Sequence, residues 1–184
     1  MTSEGFCLFD TAIGACGLAW NDRGLSGVRL PDPSAEATRA RMQRRFPAAT
    51  EQTPPARIVA AIEAIQALLG GEPRDLSGIP VDLDAVDEPM RRIYAVLRTI
   101  PPGETVSYGE VAKRAGLAGG AQAVGQAMGR NPWPIVVPCH RVVGSGGKLG
   151  GFSAPGGART KLRLLEIERA LAPETLPLFA SPSA

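Results

Sequence analysis

Histidine is almost missing from this sequence: among 184 residues only His140 is one, and the cysteines are three, Cys7, Cys16 and Cys139. A single histidine excludes the His-rich ligand sets of zinc centres, so a structural metal would have to draw on Cys7, Cys16 and carboxylates. An odd cysteine count offers no disulfide framework for a secreted scaffold and leaves at least one thiol free, which fits a reducing compartment. No apolar run approaches the roughly 18 residues of a spanning helix, and the first residues lack the basic flank and apolar stretch of a signal peptide. The expectation is a cytoplasmic protein with no membrane partner. Net charge is only +2, too small to name a partner by itself.

Glycine (22) and proline (17) are abundant, while 44% hydrophobic and 21% charged residues describe a globular, turn-rich chain rather than a disordered one or a coiled coil. The length suits one medium domain or two small ones. Charge divides unevenly along it. Residues 1–88 carry 8 Lys/Arg against 13 Asp/Glu, and residues 89–184 carry 12 against 5. An acidic half followed by a basic half is the pattern of a two-part protein whose second module faces a polyanion, or of solvated faces that happen to cluster.

Residues 6–11, 15–21 and 25–30 are short apolar-rich runs, the last two separated by the turn formers Asp22-Arg23-Gly24, and they predict a small antiparallel sheet. Ser34 opens a charged helical stretch to about Phe46. Ile58, Ile62, Ile65, Leu68 and Leu69 then have helical spacing that stops at Gly70-Gly71. A Pro-, Asp- and Gly-containing connection over 72–89 places a boundary near Asp84, giving parts 1–84 and 85–172 and a Pro-rich, loosely attached tail at 173–184.

In the second part Ile93, Val96, Leu97 and Ile100 share one helix face that Pro101-Pro102-Gly103 ends. Ser107-Tyr108-Gly109-Glu110 has the form of a capping box, with Ser107 at the N-cap of a helix to about Ala115. Residues 116–119 can make a tight connection into a second helix over 120–128, the arrangement of a helix-turn-helix. That second helix offers small residues at Ala121, Ala123, Gly125 and Ala127. Its smooth surface permits close packing against another helix, the ordinary use of such residues, or close approach to a narrow groove.

The chemistry is expected in residues 131–143. The run 135–137 reads as a buried strand that Pro138 breaks just before Cys139. Only a thiolate is a competent nucleophile, and His140, Arg141 and nearby helix ends supply positive surroundings. Neighbours in extended backbone point oppositely, so His140 would reach Cys139 through a water and not directly, unlike a cysteine-hydrolase dyad.

At this point the sequence resembles the O6-alkylguanine-DNA alkyltransferases, also called methylated-DNA–protein-cysteine methyltransferases. The resemblance runs from about Arg92 to Glu168 and rests on Pro138-Cys139-His140-Arg141-Val142, Ala123-Val124-Gly125 with Ala127-Met128, and Asn131-Pro132. Residues 103–108 and 161–168 support it. It implies an α/β fold, a ribonuclease-H-like N-terminal domain followed by a helical domain with a winged helix-turn-helix. It also implies a protein that binds damaged double-stranded DNA through the minor groove, flips out O6-alkylguanine and takes its alkyl group permanently onto Cys139; the oligomeric state is not legible in the sequence, and a monomer is the default expectation. No cofactor or metal is implied. By matching position, Glu168, His140 and a water relay the proton from Cys139, and Asn131 braces the turn beneath. Tyr108 assists rotation of the nucleotide, while Met128, Val142, Phe152 and Ser153 line the guanine pocket with Ser153 as donor to O6. DNA contacts are implied at Tyr108, Ala121, Gln122, Ala123, Gly125 and Arg130.

Three positions depart from the family pattern. Gln122 stands where the family has an arginine finger, which predicts weaker flipping and a shallower salt dependence. Phe152 replaces a tyrosine in a loop two residues longer, and Pro89-Met90 replaces a phenylalanine at the first helix of the second part. Alternatives therefore stay open: a lesion-binding sensor, against which the intact Cys139 speaks, or a paralogue acting on single strands or non-DNA alkylated substrates. A plain winged-helix transcription module would leave residues 138–141 unexplained.

Overall fold

Side-chain alternation along extended backbone determines the first layer. A computed structural model of the chain describes residues 4–117 and 120–170. In β1 (Gly5–Thr11), Phe6 and Leu8 face one side of the sheet while Cys7 and Phe9 face the other. β1 pairs antiparallel with β2 (Gly14–Asn21), β2 pairs antiparallel with β3 (Gly24–Arg29), and the two-residue β4 (Thr50–Glu51) joins β1 in parallel, giving the order β3-β2-β1-β4. The three expected strands are present at these places.

α1 (Ala35–Arg45) starts at Ser34, whose hydroxyl accepts from the Ala37 amide at 3.2 Å. It lays Met42 and Phe46 against Phe6 and Ala19. The contact is close enough to require glycine at two sheet positions: a Cβ on Gly17 would lie 2.6 Å from Met42 Cγ, and one on Gly27 would lie 2.4 Å from Phe46 Cζ. α2 (Ala56–Leu69) buries Ile58, Ile62, Ile65, Leu68 and Leu69 in the larger cluster that also holds Cys7, Phe9, Cys16 and Leu18.

The second part is built from short helices. α3 (Glu88–Arg98) is capped by Asp87, whose carboxylate accepts from the Met90 amide at 3.0 Å, and Pro89 fits its first turn. β5 (Val106–Ser107) pairs in parallel with β6 (Val142–Val143) and sets the start of α4 (Tyr108–Arg114) beside the cysteine segment. The Ser107 hydroxyl accepts from the Glu110 amide at 3.2 Å. The reciprocal half of the capping box is replaced by an ion pair of Glu110 with Arg114 at 2.9 Å. α5 (Ala121–Gly129) follows; the expected turn between α4 and α5 includes residues 118 and 119, which lie outside the described residues, as does the expected tail. α6 (Ala158–Ile167) ends at Glu168.

The expected strand at 135–137 does not form. Ile135 has φ 76°, a left-handed backbone that a β-branched residue adopts only under constraint, and the Val137 amide turns back to donate to Trp133 O at 2.8 Å. An apolar run of three is equally compatible with a buried turn, and packing decides. Cys139–Arg141 form a single 3₁₀ turn, so the segment is not extended as expected. Trp133, fully buried, donates from Nε1 to Leu25 O at 2.6 Å, and the Val28 amide donates to Pro132 O at 2.8 Å. The outer edge of β3 is thereby covered by the loop that leads to Cys139, and one apolar core runs from α2 to α5.

Candidate active site

The loop 131–139 holds Cys139 by hydrogen bonds that converge on one side chain. Asn131 donates from Nδ2 to Val137 O at 2.8 Å and to Cys139 Sγ at 3.2 Å, while its Oδ1 accepts from the Trp133 amide at 2.9 Å. The Cys139 amide donates to Val137 O at 2.8 Å. Burial pushes the Cys139 thiol above its ordinary pKa; the Asn131 hydrogen bond and the nearby Lys161 charge act in the opposite direction.

His140 is fully buried, with Nε2 2.9 Å from Glu168 Oε1. Burial opposes ionisation of Glu168, but hydrogen bonds from His140 and Arg141 outweigh it and hold the carboxyl at about 2. Glu168 is therefore an acceptor only, and His140 Nε2 must be the donor. Burial keeps the imidazole below its usual pKa against the pull of Glu168, so the ring is neutral and its Nδ1 carries the lone pair. Among the described residues Nδ1 has no hydrogen-bond partner. No bond joins His140 to Cys139, as expected, although the reason is the 3₁₀ turn and not strand alternation.

Two cations complete the arrangement: Arg141, read from sequence only as positive surroundings for Cys139, and Lys161, given no role there. Arg141 grips Glu168 with Nε and Nη2, both at 2.9 Å, and donates from Nη1 to Ile100 O at 2.5 Å. Lys161 donates from Nζ to Val142 O at 2.6 Å; burial lowers its pKa to about 8. Both lie inside matched motifs, yet nothing in their spacing reveals these partners. Tyr94, also unassigned from sequence, bonds Ala127 O at 2.8 Å and meets Trp133 edge-to-face at 6.0 Å.

Cys139 lies on the wall of two cavities. Tyr108, Gly125, Met128 and Phe152 surround one of about 250 Å³. Arg29, Arg45, Arg130 and Asn131 contribute to another of about 180 Å³, and Phe152 and Ser153 line both. The Ser153 hydroxyl donates to Met128 O at 3.4 Å. Val142 is buried on β6 and lines neither cavity. On α5, Ala121, Gln122 and Gly125 are exposed, Ala123 is half-buried, and Val124, Ala127 and Met128 face the core; Ala127 thus does not belong to the smooth outer face. Arg130 is exposed just beyond the helix. Among the described residues no group of three or more His, Cys, Asp or Glu could hold a metal ion, and no helix is long and apolar enough to cross a membrane.

Residues 88–170 match the family model described as 6-O-methylguanine DNA methyltransferase, DNA binding domain. A methylated-DNA–protein-cysteine methyltransferase of Mycolicibacterium paratuberculosis is 42% identical, the alignment covering 92% of this chain and 95% of that protein. The chain belongs to this methyltransferase family. Its mixed α/β fold agrees with the family's solved structures. The Mycobacterium tuberculosis O6-methylguanine methyltransferase superposes with a TM-score of 0.71 at 36% identity, covering 95% of this chain and 98% of that one. The Mycobacterium tuberculosis OGT in complex with DNA gives 0.72 at 34% identity, covering 90% and 93%. Membership extends across the acidic N-terminal part as well as the methyltransferase motifs, since these alignments span nearly the whole chain.

Proposed function

We propose that the chain repairs double-stranded DNA by transferring the alkyl group of O6-alkylguanine directly and irreversibly to Cys139, one transfer per molecule. The observation that carries this reading is the buried Cys139 thiol on a cavity wall, braced by Asn131 at 3.2 Å and followed by the His140–Glu168 pair at 2.9 Å. The Cys139 proton passes through a bridging water to His140 Nδ1, and Glu168 stabilises the resulting imidazolium. The thiolate then attacks the alkyl carbon: the S–C bond forms, the C–O6 bond breaks, and its electron pair stays on the guanine, which takes up the equivalent of the proton that the thiol gave to His140. No cofactor enters this balance, and the thioether leaves no route to turnover.

The flipped guanine occupies the cavity of Tyr108, Met128 and Phe152, with Ser153 exchanging its 3.4 Å bond to Met128 O for a bond to O6. Ala121, Ala123 and Gly125 let α5 approach the minor groove, with Gln122, Arg130 and Tyr108 at the DNA backbone and the vacated base position. Val142 acts from behind the pocket by holding Lys161. The working unit in this reading is a cytoplasmic monomer divided near Asp84 into an N-terminal α/β domain and a C-terminal DNA-binding and alkyl-acceptor domain.

Intact mass after mixing with duplex DNA containing O6-methylguanine tests the proposal. A gain of one methyl group in wild type, absent from Cys139→Ser, is the expected result. Binding without any gain on duplex or single-stranded DNA would overturn it and leave a lesion sensor.

A further inference from the structure

The acidic N-terminal part concentrates its few cations. Of the eight Lys/Arg among residues 1–88, four line one surface groove of about 350 Å³: Arg29 at the end of β3 and Arg41, Arg44 and Arg45 on α1. Arg29 is neutralised by Asp32 at 2.6 Å, and Arg39, outside the groove, by Glu51 at 3.0 Å. Among the described residues Arg41, Arg44 and Arg45 form no ion pair. The Arg45 guanidinium instead lies over the Phe46 ring, 5.3 Å from its centroid, and burial together with the Arg29 charge lowers its pKa. Arg41, Arg44 and Arg45, with no carboxylate paired to them among the described residues, repel one another, and a bound anion relieves that repulsion.

The groove is continuous with the site. Arg29 and Arg45 also wall the Cys139 cavity of about 180 Å³, which Arg130 borders too. A ligand that reaches both places must be anionic and extended. Duplex DNA, with one charge per roughly 1.7 Å of axis, has that form, and guanidinium forks match phosphate oxygens. We propose that the β3–α1 arginine groove is a second phosphate-binding surface for duplex DNA, gripping the backbone beyond the cleft that Cys139 lines. This rests on the reading of the chain as a DNA alkyltransferase. It also supplies positive charge that Gln122 does not.

The test is the affinity of the full chain for an unmodified duplex of about two helical turns, measured by fluorescence anisotropy across salt concentrations. Arg41 and Arg44 are exposed, so Arg41→Gln/Arg44→Gln leaves the core untouched. Relative to wild type, its slope of log affinity against log salt is expected to be shallower by about 2, near 0.9 per lost phosphate contact, with affinity at least about tenfold weaker at low salt. Arg41→Lys/Arg44→Lys is expected to keep most of the slope, and methyl transfer from free O6-methylguanine base is expected to be the same in all three proteins. Equal slopes for wild type and the glutamine variant would overturn the groove while leaving alkyl transfer intact. A lysine variant as weak as the glutamine one would likewise overturn a phosphate role. Failure of wild type to bind DNA at all would overturn both readings.

Discussion

Asn131 and Cys139 are joined by a hydrogen bond of 3.2 Å from amide nitrogen to sulfur, and the other end of the same amide accepts from Trp133. The bond opposes the burial that raises the thiol pKa. Asn131→Ala therefore moves the midpoint of the pH profile for Cys139 alkylation upward by about one unit and slows reaction near neutral pH about tenfold. Thiol modification rates measured against pH check this; an unmoved midpoint would reduce Asn131 to a turn former.

Glu168 connects acid stability to the site. Its folded pKa of about 2 lies below the ordinary 4.5, so its stabilisation is complete above about pH 4.5 and is lost as pH falls toward 2. The difference corresponds to about 3 kcal/mol. Denaturant titrations at successive pH values should show this slope in wild type and lack it in Glu168→Gln. At neutral pH the variant, with Arg141 left buried opposite a neutral amide, should be less stable by roughly 3 kcal/mol or more.

Lys161 should act on rate and not on DNA affinity. Its ammonium, charged below about pH 8, favours the Cys139 thiolate. The wild-type advantage over Lys161→Met in methyl transfer is expected to be about tenfold below that pH and to shrink as pH rises through it. Single-turnover rates across the range measure the ratio, and a pH-independent ratio would make Lys161 a packing residue only.

Gln122 is exposed at the second position of α5 and carries no charge. Gln122→Arg is expected to steepen the salt dependence of duplex binding by about 0.9 and to accelerate repair in duplex DNA, with little effect on a single-stranded substrate. Unchanged repair rate and affinity would show that the glutamine already suffices.

Local signals made much of this legible. The apolar-rich runs of residues 6–30, the Ser34 cap and the spacing of α2 depend on neighbours in sequence, and all three appear in the structure at the expected places. The His140–Glu168 pair was reachable only through resemblance, because 28 residues separate the two. What stayed hidden was decided by packing across greater distance. The Trp133–Leu25 bond spans 108 residues, and the turn it anchors forces Ile135 out of the strand that its apolar neighbours imply. The arginine groove was concealed by arithmetic, since a net negative half need not be negative on every face.

The cover that residues 132–133 place over the edge of β3 ties the Cys139 loop to the N-terminal sheet, so a cut at the proposed boundary near Asp84 would pass through shared contacts. A fragment beginning there would leave Trp133 Nε1 and Pro132 O without their strand partners and strip apolar contacts from the loop that carries Asn131. The reactive thiol is therefore not expected to work as a portable cassette: its surroundings come from both halves, which are expected to unfold in a single transition.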